Sequence, residues 1–140
     1  MKAIVDTNVV LDLLLARRPF VLNAAKLFEL AERSFIEVWI CATTVTTVDY
    51  LLSQSLPRNK AREAVHGLLT IFDVALVNRS VLERALASPM RDFEDAVLAE
   101  AGALAGARVI ITRNTRDFSR SPLPALTPQE FLVQFDATQK

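Results

Sequence analysis

Residues 2–12, Lys2-Ala3-Ile4-Val5-Asp6-Thr7-Asn8-Val9-Val10-Leu11-Asp12, constrain the fold more than any other stretch of this chain. Ile4 and Val5 are β-branched and no helix start signal precedes them, so residues 3–5 read as a short strand buried on both faces. A strand of that kind belongs at the centre of a parallel sheet. The apolar run breaks at Asp6, Thr7 and Asn8, and Val9 to Leu15 then resume in a helix-compatible pattern. In open α/β sheets the residues just past the carboxyl end of a strand line the ligand crevice, which makes Asp6 a site candidate. Aspartate is also a common N-cap. From these residues alone both readings stand.

The rest of the chain alternates in the same way. Phe20, Val21, Ala24, Ala25, Leu27, Phe28 and Ala31 recur at three- and four-residue intervals and predict an amphipathic helix over 20–34, with Pro19 just ahead of it. Residues 36–41 predict the second strand. The cluster Thr43, Thr44, Thr46 and Thr47 is expected to cap and enter a helix ending near Leu56, before Pro57. Further helices are predicted over 58–69, 80–87 and 92–105, the last closed by Gly106, and strands over 72–77 and 109–111. Thr127-Pro128-Gln129-Glu130 is a helix start with a capping box. This alternation predicts a three-layer α/β domain with a parallel sheet, one domain spanning 1–140.

Composition excludes several classes of function. Cys41 is the only cysteine, which removes disulfide frameworks and thiolate metal sites. The 16 basic and 16 acidic residues cancel, so nucleic-acid binding has to rest on a local patch. No apolar run is long enough to span a bilayer and no signal peptide is visible, so no membrane role and a cytoplasmic location are expected. Hydrophobic residues make up 51% of the chain. That excess predicts apolar surface meeting a partner, first of all a second copy in a homodimer packed through helices near 20–34 or 43–70.

Acids carry the chemistry. Asp92-Phe93-Glu94-Asp95 opens a helix, where the dipole favours negative charge. That accounts for Asp92 and Glu94, whereas Asp95 lies beside the apolar face Ala96-Val97-Leu98-Ala99 and is expected to point inward at the sheet edge. Thr112-Arg113-Asn114-Thr115-Arg116-Asp117-Phe118 leaves the most apolar strand at the same rim. Carboxylates converging there repel one another unless a cation is bound, and hard divalent ions such as Mg²⁺ take such oxygen ligands.

Asp6-Thr7-Asn8, Asp92-Phe93-Glu94-Asp95-Ala96 and Thr112-Arg113-Asn114 with Asp117-Phe118 resemble the three landmark motifs of PIN-domain nucleases, nearest to the short bacterial branch related to VapC-type toxins. The resemblance implies a Rossmann-like α/β/α fold, Mg²⁺ or Mn²⁺ in an acidic cleft, an RNA substrate, and a possible cognate antitoxin. It makes Asp6 and Asp95 metal ligands and catalytic acids, with Asn8 and Thr112 supporting the cleft. The chain departs from the pattern twice. The family's second acid falls on Thr47, and the nearest carboxylate, Asp49, lies about 200° around the helix. Where a fourth acid often sits the chain has Asn114, so Asp117 is the expected substitute, and Asp92 is a further ligand candidate because it precedes Asp95 by three residues on a shared helix face.

Arg113 and Arg116, beside the third motif, are the expected RNA phosphate contacts. His66, mid-helix, and Cys41, after an apolar strand, read as surface and core residues. A haloacid-dehalogenase-type phosphatase would want a second acid at position 8, and a receiver-like phosphoacceptor a lysine within 109–118; neither is present. The remaining alternative is a catalytically weak or inactive PIN domain that binds RNA or protein.

Overall fold

The computed structural model describes residues 1–139. Five parallel strands form one sheet: β1 (Lys2–Val5), β2 (Glu37–Cys41), β3 (Asp73–Ala75), β4 (Val109–Ile111) and β5 (Ala125–Leu126). Their spatial order is β3-β2-β1-β4-β5, so β1 is the central strand, as its two buried faces predict. In register, Ile4 stands between Trp39 of β2 and Ile110 of β4.

Seven α-helices flank the sheet: α1 (Thr7–Leu14), α2 (Val21–Glu32), α3 (Ala42–Leu52), α4 (Arg58–Ile71), α5 (Arg79–Ala87), α6 (Phe93–Leu104) and α7 (Pro128–Gln139). The two-residue period of the strands divides the core. Val5, Ile40 and Ile111 face a layer holding Val9, Leu27, Phe28, Val48, Leu68 and Phe131, from α1 to α4 and α7. Ile4, Cys41, Ala75 and Ile110 face Val81, Ala85, Ala96 and Leu98, from α5 and α6. This is the expected three-layer α/β/α arrangement.

Contact between α6 and the central strand is close enough to need glycine. A Cβ at Gly102 would sit 2.7 Å from Ile4 Cγ2. Gly106, at φ +89°, takes the left-handed turn that ends the helix, as its position predicts. Capping at α7 is reciprocal: Glu130 N–H donates to Thr127 Oγ1 at 3.1 Å, and Thr127 N–H to Glu130 Oε1 at 2.9 Å.

Three local expectations are corrected. The threonines at 43–47 do not cap α3 but lie inside it, and it ends at Leu52 rather than Leu56. Tertiary contact overrides their weak helix propensity: Thr44 is buried, and its hydroxyl shares a 2.9 Å hydrogen bond with that of Thr7. Asp92 does not share a helix face with Asp95, because it is the N-cap of α6 with extended backbone. Residues 115–118 form a 3-10 helix and Ala125–Leu126 an edge strand, neither of which the sequence announces. Among the described residues no helix is long and apolar enough to cross a membrane.

Candidate metal centre

All strands run in parallel, so their carboxyl ends share one edge, and α6, returning between β3 and β4, presents its N-terminus to that edge. Asp6 leaves the central strand there. Its backbone N–H donates to the Ile111 carbonyl at 2.8 Å, continuing the pairing of β1 with β4 beyond the strand. One carboxylate oxygen accepts from Thr7 N–H and the other from the Thr112 hydroxyl, both at 2.8 Å. Asp6 is indeed the N-cap of α1. The cap reading is incomplete, however, because Oδ1 takes the N–H of the adjacent residue and Oδ2 is held from across the sheet. Thr112, fully buried, also accepts Asn114 N–H at 3.0 Å, so its hydroxyl proton is directed at Asp6.

Four further acids crowd this carboxylate. Burial raises the pKa of Asp6; the hydrogen bonds from Thr112 and Thr7 oppose that, and the charges of Glu94 and Asp117 add to it. Asp95, half-buried in the first turn of α6, is pushed up to about 7 by burial and then by Asp6, Asp92, Asp117 and Glu94. A shift of this kind on a cleft residue, with charged partners that can be named, marks a functional-site candidate. Asp92 Oδ1 accepts Asp95 N–H at 2.9 Å and so serves as a cap as well as a charge.

Two cavities meet at these acids. One, of about 290 Å³, is lined by Asp6, Asn8, Asn114, Asp92, Glu94 and Asp95 among others. The second, of about 580 Å³, is lined by Asp92, Asp95 and Asp117 together with Arg91, Arg116 and Arg120. Asp92 and Asp95 line both, so an acidic cleft opens beside an arginine-rimmed groove.

The donor set suits a hard cation. Five carboxylates supply oxygen, and Asn8 contributes a buried Oδ1 with no hydrogen-bond partner. As the side chains stand, no three acids, histidines or cysteines among the described residues are grouped tightly enough to hold an ion. Closing such a set takes side-chain rotation, which the exposed Asp92, Glu94 and Asp117 permit.

Most of the expected residues are gathered at this edge: Asp6, Asn8, Asp92, Asp95, Thr112, Asn114, Asp117 and Arg116. Two findings, on Arg113 and Glu94, depart from the sequence reading, while Asp49 lies outside the cleft as its place on the helix leads one to expect. Arg113 Nε donates to Asp12 Oδ2 at 2.7 Å, and its guanidinium lies 4.1 Å over the Phe20 ring. Asp12 is buried in α1 at 1% exposure, so the charge of Arg113 neutralises a core acid, and the groove is rimmed by Arg91, Arg116 and Arg120 instead. The clue was a lone acid inside Val9-Val10-Leu11-Asp12-Leu13-Leu14, which cannot be buried unpaired. Asp49 pairs with Arg62 Nε at 3.1 Å and lines neither cavity. Glu94, which the helix dipole had seemed to explain, lines the cleft and accepts the Thr47 hydroxyl at 3.4 Å.

Comparison with known proteins agrees with this architecture. Among curated proteins none matches the sequence. VapBC2 from Rickettsia felis, bound to a DNA fragment from its promoter, is similar with a TM-score of 0.70 at 15% identity over 91% of this chain and 98% of that one. A toxin–antitoxin complex from Klebsiella pneumoniae gives 0.68 at 24% identity, covering 90% and 97%. VapC20 from Mycobacterium tuberculosis, a sarcin-ricin loop cleaving toxin, gives 0.63 at 19% identity, covering 77% and 86%. These likenesses establish the fold. The family model for the PIN domain matches residues 2–116, from the central strand to the residue before Asp117, and the chain belongs to the PIN-domain family.

Proposed function

We propose that this protein is an endoribonuclease that uses Mg²⁺ or Mn²⁺ to cleave RNA phosphodiesters and acts as the toxin of a toxin–antitoxin pair. The observation that carries the reading is the convergence of Asp6, Asp92, Glu94, Asp95 and Asp117 on one sheet edge, where burial first and then their mutual repulsion raise the pKa of Asp6 and Asp95. A fold keeps such an arrangement at a cost, and a bound divalent cation offsets it. Asp6 and Asp95 hold the cation, assisted by Asp92 and Asp117. When bound, such an ion lowers the pKa of a water, orients it and neutralises charge on the phosphate.

The chain's own groups do the rest. Thr7 N–H and Thr112 fix Asp6 as the immobile ligand. Asp117, whose carboxylate no hydrogen bond engages among the described residues, is the acid available to take the proton of an attacking water. Arg91, Arg116 and Arg120 hold the substrate phosphates along the adjoining groove. The charged groups that line the two cavities are acids and arginines, with Asn8, Asn114, Thr7, Thr43 and Ser119 as neutral polar neighbours. The solved toxin–antitoxin complexes of the same fold support a protein partner. Exposed Phe20, Leu22, Tyr50, Leu56 and Leu69, within or beside the helices expected to dimerise, support a homodimer.

The test is cleavage of a broad RNA panel with Mn²⁺ or Mg²⁺ by wild type, Asp6→Asn and Asp95→Asn. Cleavage by the wild type and none by either variant is expected. A second reading, a binding-only PIN domain, is favoured by Thr47 at the position of an expected acid. Mn²⁺ binding and RNA binding without cleavage would establish it.

A further inference from the structure

The wall of the cleft formed by α3 offers hydroxyls but no carboxylate. Thr43 lines it, Thr44 is bonded to Thr7, and Asp49, the only acid on that helix, is turned to Arg62. A cation held by Asp6 and Asp95 therefore lacks a charged ligand on that side. Glu94 is the one acid that reaches there. It sits in the first turn of α6, on the opposite face of the sheet from α3, yet its Oε1 accepts a hydrogen bond from Thr47 Oγ1 at 3.4 Å across the carboxyl edge.

We infer that Glu94 is a metal ligand of this site, placed by Thr47, so that α6 delivers to the α3 wall the acid that α3 does not carry. A glutamate serving only the dipole of α6 could turn to solvent at no loss. This one crosses to another layer and lines the cleft with Asp6. Its longer side chain is what the crossing needs; the carboxylate of Asp95, one residue on, makes no hydrogen bond to α3 among the described residues and lines both cavities. Thr47 thereby changes role, from a missing ligand to the donor that orients one.

This inference rests on the metal-site reading, and the experiment separates the two. Mn²⁺ affinity is measured by calorimetry on the full chain for wild type, Asp6→Asn, Glu94→Gln, and Glu94→Gln combined with Thr47→Glu. Melting in EDTA checks that each is folded; Glu94 is exposed, so its replacement leaves the core untouched. The expected result is wild-type binding, loss in Asp6→Asn, a weakening of about tenfold or more in Glu94→Gln, and recovery to within about threefold in the double variant, where the acid returns from α3. Glu94→Gln binding Mn²⁺ like the wild type while Asp6→Asn does not would overturn the role of Glu94 and leave the site intact. So would a double variant no better than Glu94→Gln. A wild type that binds no Mn²⁺ would overturn both.

Discussion

Replacing Asp95 by Asn tests the acidic cluster without reference to catalysis. Asp95 is the cleanest position because its carboxylate makes no hydrogen bond among the described residues, so the amide removes charge and little else. Its carboxyl is moved from the ordinary 3.8 to about 7. At 1.36 kcal/mol per pH unit a displacement of that size corresponds to about 4 kcal/mol of penalty on the ionised form at neutral pH. Asp95 is only half-buried, and solvent screening reduces the expected gain from neutralising it to about 1–2 kcal/mol. For a chain of this length that is a rise in Tm of roughly 3–8 °C. The sign follows from proton linkage. A carboxyl whose pKa is higher folded than unfolded binds more protons in the native state, so the penalty is absent below about pH 4 and grows as the pH rises towards 7. Thermal melts in EDTA at pH 4 and pH 7.5 should therefore show no gain for Asp95→Asn at the lower pH and the full gain at the higher. Mn²⁺ at pH 7.5 should stabilise the wild type and close the gap between the two proteins. A variant that melts at or below the wild type at pH 7.5, or gains equally at both pH values, would show that the Asp95 carboxylate carries no such penalty.

Other expectations concern residues around the cleft. Arg113→Ala should destabilise the fold by about 2–4 kcal/mol in chemical denaturation, towards the low end for a broken buried pair because Arg17 Nη1 lies 3.8 Å from the other oxygen of Asp12. Arg116→Ala should leave stability unchanged and reduce the salt slope of RNA binding by about 0.7–1, read by titration at several ionic strengths. Asp49→Asn should keep ribonuclease activity within a few fold, because Asp49 faces Arg62; a loss matching that of Asp6→Asn would place it in the site. Sedimentation at tens of micromolar should show a dimer, and a monomer would reassign the exposed apolar side chains to another partner.

How much of this was legible beforehand depends on whether the deciding interaction was local. The central strand, Asp6 at its carboxyl end, the inward Asp95, the Gly106 helix end and the Thr127–Glu130 capping box all follow from patterns within a few residues, and the structure contains each of them. The three acidic motifs were equally readable, because strand-end carboxylates in a parallel sheet share an edge whatever the details of packing. What distance along the chain concealed was pairing. Asp12 with Arg113, 101 residues apart, turned an expected phosphate contact into a core ion pair. Thr47 with Glu94, 47 residues apart, turned an acid assigned to a helix dipole into a residue of the cleft. The edge strand β5, two residues long, exists only because β4 offers it a ladder, in which Thr112 N–H donates to the Leu126 carbonyl at 2.9 Å. The seven α-helices, the strands β1 to β4 and the edge that collects the acids were readable in advance, since hydrophobic period and chain direction are local properties. Which charge each arginine and each acid faces came from the assembled fold, because a side chain's partner is set by layers meeting across the sheet.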